Sequence, residues 1–323
     1  MLDLLPISQP RNLAKTFLVA DYIEILCLCN LDKRLSLNDA LVNIYHSVKI
    51  EAEKEISEQE TGEELSTAEF NDRQIENAED WFRQLRFRER AFRDYYPFSI
   101  KDDDLILKEE ITNKMKIYIF LLMCSSLRFV KGTSRNKVAD YFETFAVKVM
   151  ENYLPAFEVH PFGKSTRARE FYPARLFDAI KKLCQNLNEQ MICSLEEVGN
   201  RNTGDGGLDI VAWRLLGDYE TPGNLICFAQ CACRPEWEEK LYDIDIQKWI
   251  RRIKFINPPV KIILIPICFR NADGAWVSTW NISSAVIIDR LRICLLLDSA
   301  KEQEYDFFPA VNDFLNIINE NCS

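Results

Sequence analysis

Apolar residues recur at three- and four-residue intervals near the start of the chain. Leu13, Phe17, Leu18, Tyr22, Ile25 and Leu26 fall on one helical face. Ser36-Leu37-Asn38-Asp39 reads as the cap of a second helix carrying Leu41, Ile44 and Val48. Residues 104–130 read as a strand or turn followed by a buried helix, whose longest apolar stretch is Tyr118–Met123. A stretch that short cannot span a bilayer. Lys131-Gly132-Thr133-Ser134-Arg135 then breaks the apolar run and marks a domain boundary.

The pattern changes beyond that point. Residues 137–154 carry Val138, Tyr141, Phe142, Phe145, Val149 and Tyr153 on one helical face, and Arg175–Gln190 forms another helix. Strands are predicted over Met191–Val198, Leu208–Trp213 and Leu225–Gln230, the last two joined by a hairpin through Gly217, Pro222 and Gly223. Pro235–Phe255 reads as a helix with Trp237, Leu241, Ile244, Trp249 and Ile253 as its buried stripe. Val260–Phe269 reads as a strand buried on both faces, Val286–Leu297 as another strand, and Phe307–Ile318 as a closing helix. The fold class is therefore α/β, with a mainly helical domain over 1–135 and an α/β domain over 136–323.

Length and composition agree with this division. The 323 residues suffice for two domains of ~150 residues, and a 47% hydrophobic content supplies a core for each. The net charge of −10 argues against a broad nucleic-acid-coating surface but leaves room for a local basic groove. Eleven cysteines, scattered through apolar runs, read as reduced core residues of a cytoplasmic protein. The pairs Cys27/Cys29 and Cys231/Cys233 lack zinc-knuckle spacing, and only His46 and His160 could assist them. The N-terminus shows no basic segment leading into an apolar signal core.

Two charged segments each carry two readings. The glutamate cluster at Glu51, Glu53, Glu55, Glu58, Glu60, Glu63 and Glu64 is a solvated face or linker, or else an acidic DNA mimic that shields a site. Residues 79–95 interleave Trp81, Phe82, Leu85, Phe87, Phe92 and Tyr95 with Arg83, Arg86, Arg88, Arg90 and Arg93. That pattern belongs to an amphipathic helix or to a nucleic-acid grip.

The chemistry concentrates in Gly204-Asp205-Gly206-Gly207-Leu208-Asp209, which opens one apolar run, and in Gln230, which ends the next. An acid and an amide at the same end of two neighbouring strands suit a hard divalent cation. There is no Walker lysine pattern, and neither histidine lies in a nucleophile context. These residues resemble the PD-(D/E)xK nuclease superfamily, in the branch of Mrr-like restriction endonucleases, where the pattern reads G-D-G-G-[IL]-D and then Q-x-K. The likeness covers roughly residues 140–298 and departs at Ala232, which stands at the lysine position.

The resemblance implies a restriction-endonuclease-like core, a mixed central sheet flanked by helices, and a Mg²⁺- or Mn²⁺-dependent DNA endonuclease of prokaryotic defence. It implies Asp209 and Gln230 as metal ligands, with Lys240 taking the place of the missing lysine and Arg234 as a less favoured substitute. A further acid completes the site, with Glu143, Asp178, Glu196 and Glu197 as candidates and Glu197 adopted as catalytic. Asp205, Gly206, Lys164 and Arg167 are the candidate substrate contacts. The N-terminal domain would recognise DNA, a partner or a trigger. An ATPase or helicase subunit and a second copy of the chain are the implied protein partners; no membrane is. The absent lysine supports a second reading, a nuclease fold that has lost catalysis and binds DNA or assembles with such a partner. RNA as substrate is a third.

Overall fold

The computed structural model describes residues 12–45, 67–163, 165–199, 201–218, 221–298 and 304–321. The glutamate cluster at 51–64, His46 and Lys164 lie outside them. The chain divides into two compact units, one of residues 1–134, 268–277 and 307–323, the other of residues 135–267 and 278–306. The C-terminal helix and a segment after residue 267, expected within the second domain, thus belong to the first unit.

The first unit comprises α1 (Thr16–Cys29), β1 (Arg34–Ser36), α2 (residues 37–45), α3 (Thr67–Phe92), β2 (Phe98–Lys101), β3 (Asp104–Leu107) and α4 (Asn113–Ser125), and later receives the last helix. Its antiparallel sheet runs β1-β3-β2. Asp102 and Asp103 hold positive φ angles of 48° and 64° at the turn between β2 and β3. Positive φ at both central residues gives the turn the twist a two-residue hairpin needs. Helix α4 is apolar on every side, and Met115 and Ile117–Ser125 are all buried.

A charged cluster lies inside this unit. Arg88 is fully buried and meets Asp21 Oδ1 at 2.7 Å and Glu24 Oε2 at 2.8 Å. Its Nη2 donates to the Phe17 carbonyl, while the Tyr96 and Tyr118 hydroxyls donate to Glu24 Oε1 at 2.9 and 2.8 Å. Buried charges persist only when paired and hydrogen-bonded in this way. Arg83 pairs with Asp80 and Arg86 with Asp103. The alternation of basic and aromatic residues thus belongs to an amphipathic helix whose central arginine faces inward.

The second unit takes α5 (Gly132–Tyr153) from Arg135 onward, then β4 (Glu158–Pro161), α6 (Thr166–Phe171), α7 (Leu176–Leu187), β5 (Gln190–Met191), α8 (Leu195–Val198), β6 (Ile210–Arg214) and β7 (Leu225–Cys231). A 3₁₀ turn (Trp237–Tyr242), α9 (Ile246–Ile250), β8 (Ile253–Lys254), β9 (Val260–Leu264), β10 (Val286–Ile288) and α10 (Arg290–Asp298) follow, and α11 (Phe308–Asn321) completes the first unit. The main sheet runs β10-β9-β7-β6-β4. β4, β6 and β7 pair antiparallel, whereas β7, β9 and β10 pair parallel. The unit is therefore α/β, with a five-stranded mixed sheet flanked by helices. Both edges are modest: β4 ends in Pro161, which has no N–H to donate, and β10 has three residues.

Three segments depart from the periodicity. Residues 191–198 form no long strand, because Ser194 and Glu197 close a capping box that starts α8. Residues 235–255 do not form one helix. Asp245 Oδ1 accepts from the N–H groups of Gln247 and Lys248 and caps a separate short helix. The strand expected over 286–297 stops at Ile288, where Asp289 Oδ1 accepts from Arg292 N–H and the chain turns into α10. The strand that completes the sheet is instead β4, in a segment for which the sequence predicts no strand. Cys27, Cys184 and Cys227 are buried thiols. No helix among the described residues is long and apolar enough to cross a membrane.

Candidate functional site

The β6–β7 hairpin pairs Ile210 with Ala229, so the residues flanking that pair, Asp209 and Gln230, adjoin at one end of the sheet. Two backbone hydrogen bonds fix Asp209: its N–H donates to the Ala229 carbonyl at 3.1 Å, and its carbonyl accepts from Phe162 N–H at 2.6 Å. Its side-chain Oδ2 accepts from the Cys231 N–H at 2.8 Å. The other oxygen, Oδ1, faces Gly163, where an added Cβ would stand 4.0 Å away. Burial raises the Asp209 carboxyl to about 6, with the negative charges of Asp205 and Asp243 adding to the shift and Lys240 opposing it.

Glu143 reaches the same region from α5. Burial comes first among the causes that raise its carboxyl to about 8, followed by the charges of Asp209, Asp140 and Asp205; Lys240 again acts in the opposite sense. Two neighbouring carboxyls with raised pKa values are the signature of crowded, desolvated negative charge. Of the acids the sequence nominated to complete the site, Glu143 is the one coupled electrostatically to Asp209.

Gln230 is 3% exposed. Its Nε2 donates to Asp243 Oδ2 at 3.3 Å, which fixes the amide orientation, since an amide oxygen facing that carboxylate would be repelled. Its Oε1 is buried with no hydrogen-bond partner among the described residues. A buried amide oxygen in that state costs free energy until a donor or a cation meets it.

Lys240 sits on the 3₁₀ turn, and its Nζ lies 2.7 Å from Asp243 Oδ2. Asp243 stands at the C-terminal end of that turn, three residues after Lys240. Asp243 thus joins Gln230 to Lys240. Sequence reasoning passed over it, although Asp243-Ile244-Asp245 interrupts an otherwise helical stripe and signals a break. Gly207 packs on Asp243: its φ is +79°, and a Cβ there would collide with the Asp243 carbonyl. Asp205 shapes the same loop by accepting from Gly207 N–H at 2.9 Å.

The remaining candidates lie elsewhere. Glu197 is exposed and its carboxylate accepts from the Ser194 N–H at 2.7 Å, a contact that lowers its pKa. It is not among the leading charges acting on Asp209 and Glu143. The sequence placed Glu197 on a strand and assigned it to catalysis; the structure gives it a capping role on α8. Asp178 is held by Arg175, Nε to Oδ2 at 2.6 Å, and Glu196 is exposed. Arg167 pairs with Asp306 at 2.8 Å, and Arg234 is exposed. Ala232 is buried, its N–H donating to the Leu264 carbonyl at 3.0 Å.

Among the described residues no three His, Cys, Asp or Glu side chains group closely enough to hold a metal ion between them. The donors at the hairpin are two carboxyls and an amide, and the amide oxygen is unpartnered. This hard-oxygen set suits Mg²⁺ or Mn²⁺, which take few protein ligands and retain water. Bound positive charge would also lower the raised pKa values of Glu143 and Asp209. Comparison with family models, curated proteins and solved structures gives no match for this chain.

Proposed function

We propose that the second unit is a divalent-metal-dependent DNA endonuclease of the restriction-endonuclease-like class. The observation that carries this reading is the charge coupling of Glu143 to Asp209 beside the buried Gln230 Oε1, which has no partner among the described residues, with Lys240 as the cation acting on both carboxyls. The sheet supports it: β4, β6 and β7 pair antiparallel and β9 adds parallel to β7, with α5 before β4 and α9 before β9, although α6, α7, β5 and α8 intervene between β4 and β6.

In this reading Asp209, Glu143 and Gln230 hold Mg²⁺ or Mn²⁺. When bound, the ion supplies an activated water and offsets charge on the phosphate. Lys240 adds a second positive charge beside the scissile phosphate, and Asp243 positions both Lys240 and Gln230. The fixed backbone around Asp209 orients its carboxylate before substrate arrives. DNA is the substrate class, with prokaryotic defence the context the resemblance implies. A partner ATPase or helicase and a second copy of the chain complete the proposed assembly.

Cleavage of supercoiled plasmid with Mg²⁺ or Mn²⁺ tests the reading, beside EDTA and Asp209→Ala controls. Cutting by the wild type alone supports it. Cutting that survives either control overturns it.

One observation favours a second reading. Ala232 is buried at the family's lysine position, and Lys240 is engaged with Asp243. A nuclease fold that binds DNA without cutting it, or assembles with a partner, has this arrangement. DNA binding with no cleavage under any divalent cation would select it.

A further inference from the structure

Tyr242 is the last residue of the 3₁₀ turn that carries Lys240, and it is 83% exposed. The residues that anchor the turn are not. Trp237 is wholly buried, and Leu241 and Ile244, on either side of the Tyr242–Asp243 pair, are buried as well. The backbone beneath the ring is tied at several points. Lys261 Nζ donates to the Leu241 carbonyl. Asp243 N–H donates to the Lys240 carbonyl at 3.0 Å, and Asp245 N–H to the Asp243 carbonyl at 3.0 Å. Gly207 packs against that same Asp243 carbonyl. The fold thus fixes where the ring is rooted and leaves the ring itself in solvent.

That root adjoins the candidate centre. Asp243, the next residue, accepts from Gln230 Nε2 at 3.3 Å and lies 2.7 Å from Lys240 Nζ. A tyrosine left in water forgoes the free energy its burial would give. On a fixed backbone it presents a large flat face at small entropic cost. The surroundings narrow what that face meets. Glu239 and Asp243 are exposed beside it, and Lys240, on the same turn, is engaged with Asp243. The ring is therefore not set in the positive surface that gathers phosphates. A stacked base needs no such charge, because every base has a π-face. In a duplex those faces are covered by the neighbouring pairs; an unpaired nucleotide leaves one open.

We propose that Tyr242 is a stacking platform for an unpaired base of DNA, next to the phosphate that Lys240 and the carboxyls receive. The substrate class is then DNA with a single-stranded nucleotide at the cut, in place of a continuous duplex. The position beside a scissile phosphate rests on the nuclease reading given above; the exposed ring on a fixed root does not. Stacking on the ring holds one nucleotide still, and so sets which phosphate faces the candidate centre. The hydroxyl has no part in this, since the contact is made by the ring.

The test uses the full chain with Ca²⁺, a divalent ion that takes oxygen ligands. A short oligonucleotide is titrated as a single strand in one arm and as a blunt duplex of the same sequence in the other, and is checked to be uncut afterwards. Affinity is read by fluorescence anisotropy. In the single strand, 2-aminopurine replaces one adenine and reports stacking by quenching. The expected result is quenching by the wild type, with single-strand affinity about tenfold lower for Tyr242→Ala and Tyr242→Leu and close to wild type for Tyr242→Phe. Duplex affinity and Tm should change little in any of the three variants, because the ring is exposed. Tyr242→Ala that binds the single strand like wild type overturns the proposal. Tyr242→Leu that binds as well as Tyr242→Phe, or an equal loss on the duplex, also overturns it. Metal-dependent plasmid cleavage alongside any of those results would leave the nuclease reading standing without this platform. Ring-dependent quenching with no cleavage would remove the nuclease reading and leave the platform.

Discussion

Asp209 Oδ2 accepts the Cys231 N–H at 2.8 Å, and this bond assigns its two carboxylate oxygens different work. One is held by the β7 backbone. The other, Oδ1, faces Gly163 and is the oxygen that would meet the cation in the proposed function. Asn at this position would turn its own oxygen toward the Cys231 N–H and present its NH₂ group in place of Oδ1. Asp209→Asn is therefore expected to fold, with a Tm close to wild type, while losing the thermal stabilisation that Mg²⁺ or Mn²⁺ gives. Melting curves with and without each cation read both quantities. Retained cation stabilisation would detach Asp209 from the metal.

Glu143 makes the metal-free protein sensitive to pH. Its carboxyl rises from 4.5 to about 8 on folding. Between those limits the folded chain keeps a proton that the unfolded chain has lost, so stability falls as pH rises through that window. Glu143→Gln should flatten this dependence and raise the metal-free Tm near pH 8. Divalent cation should bind more tightly across the same rise, because it displaces the proton. A pH series of melts, with and without Mg²⁺, checks the sign; a metal-free Tm that climbs over this range would contradict the assignment.

Lys240 and Asp243 separate catalysis from stability. Their ion pair is partly exposed, and such pairs contribute about 0–1 kcal/mol to folding. Lys240→Ala should accordingly leave the unfolding midpoint nearly unchanged. If Lys240 stabilises charge on the phosphate, plasmid cleavage should fall roughly 10²–10³-fold. Unchanged cutting would take Lys240 out of the site.

Gly207 tests the loop itself. Alanine there must adopt a φ of +79° and its Cβ must displace the Asp243 carbonyl. Gly207→Ala is expected to cost about 2 kcal/mol or more in urea unfolding, and to weaken metal binding by moving Asp243.

In the first unit, Arg88→Met should be destabilising by about 3–5 kcal/mol, because it strands Asp21 and Glu24 as buried carboxylates without their cation. Urea unfolding measures this. A loss below about 1 kcal/mol would mean that the carboxyls carry protons in the native state.

The parts of the fold legible in the sequence are those with clean periodicity or turn chemistry. The strands containing Val211 and Phe228 stand out because apolar runs flank a glycine-containing connection, and the glycine loop before Asp209 announces a turn. Glu158–Pro161 escaped because four residues with a charge at one end and a proline at the other carry no strand pattern, yet the hairpin pairs with them. The capping boundaries at Ser194, Asp245 and Asp289 were readable as cap residues but lay inside longer apolar runs, and the run length prevailed. At the site, Asp209 and Gln230 are local to the motif. Glu143 and Asp243 are brought there by tertiary packing, so the sequence could nominate the first only among several acids and did not nominate the second.

The two ends of the five-stranded sheet bear on assembly. On one side β4 presents an exposed glutamate and ends in a proline that cannot donate to a neighbouring ladder; on the other, β10 offers three residues before the chain turns into a helix. Neither rim can template a continuous sheet across two molecules. If the proposed function holds and a second copy cuts the opposite strand, it would meet this unit through helices or loops, and the spacing between two cuts would be set by side-chain packing and not by strand register.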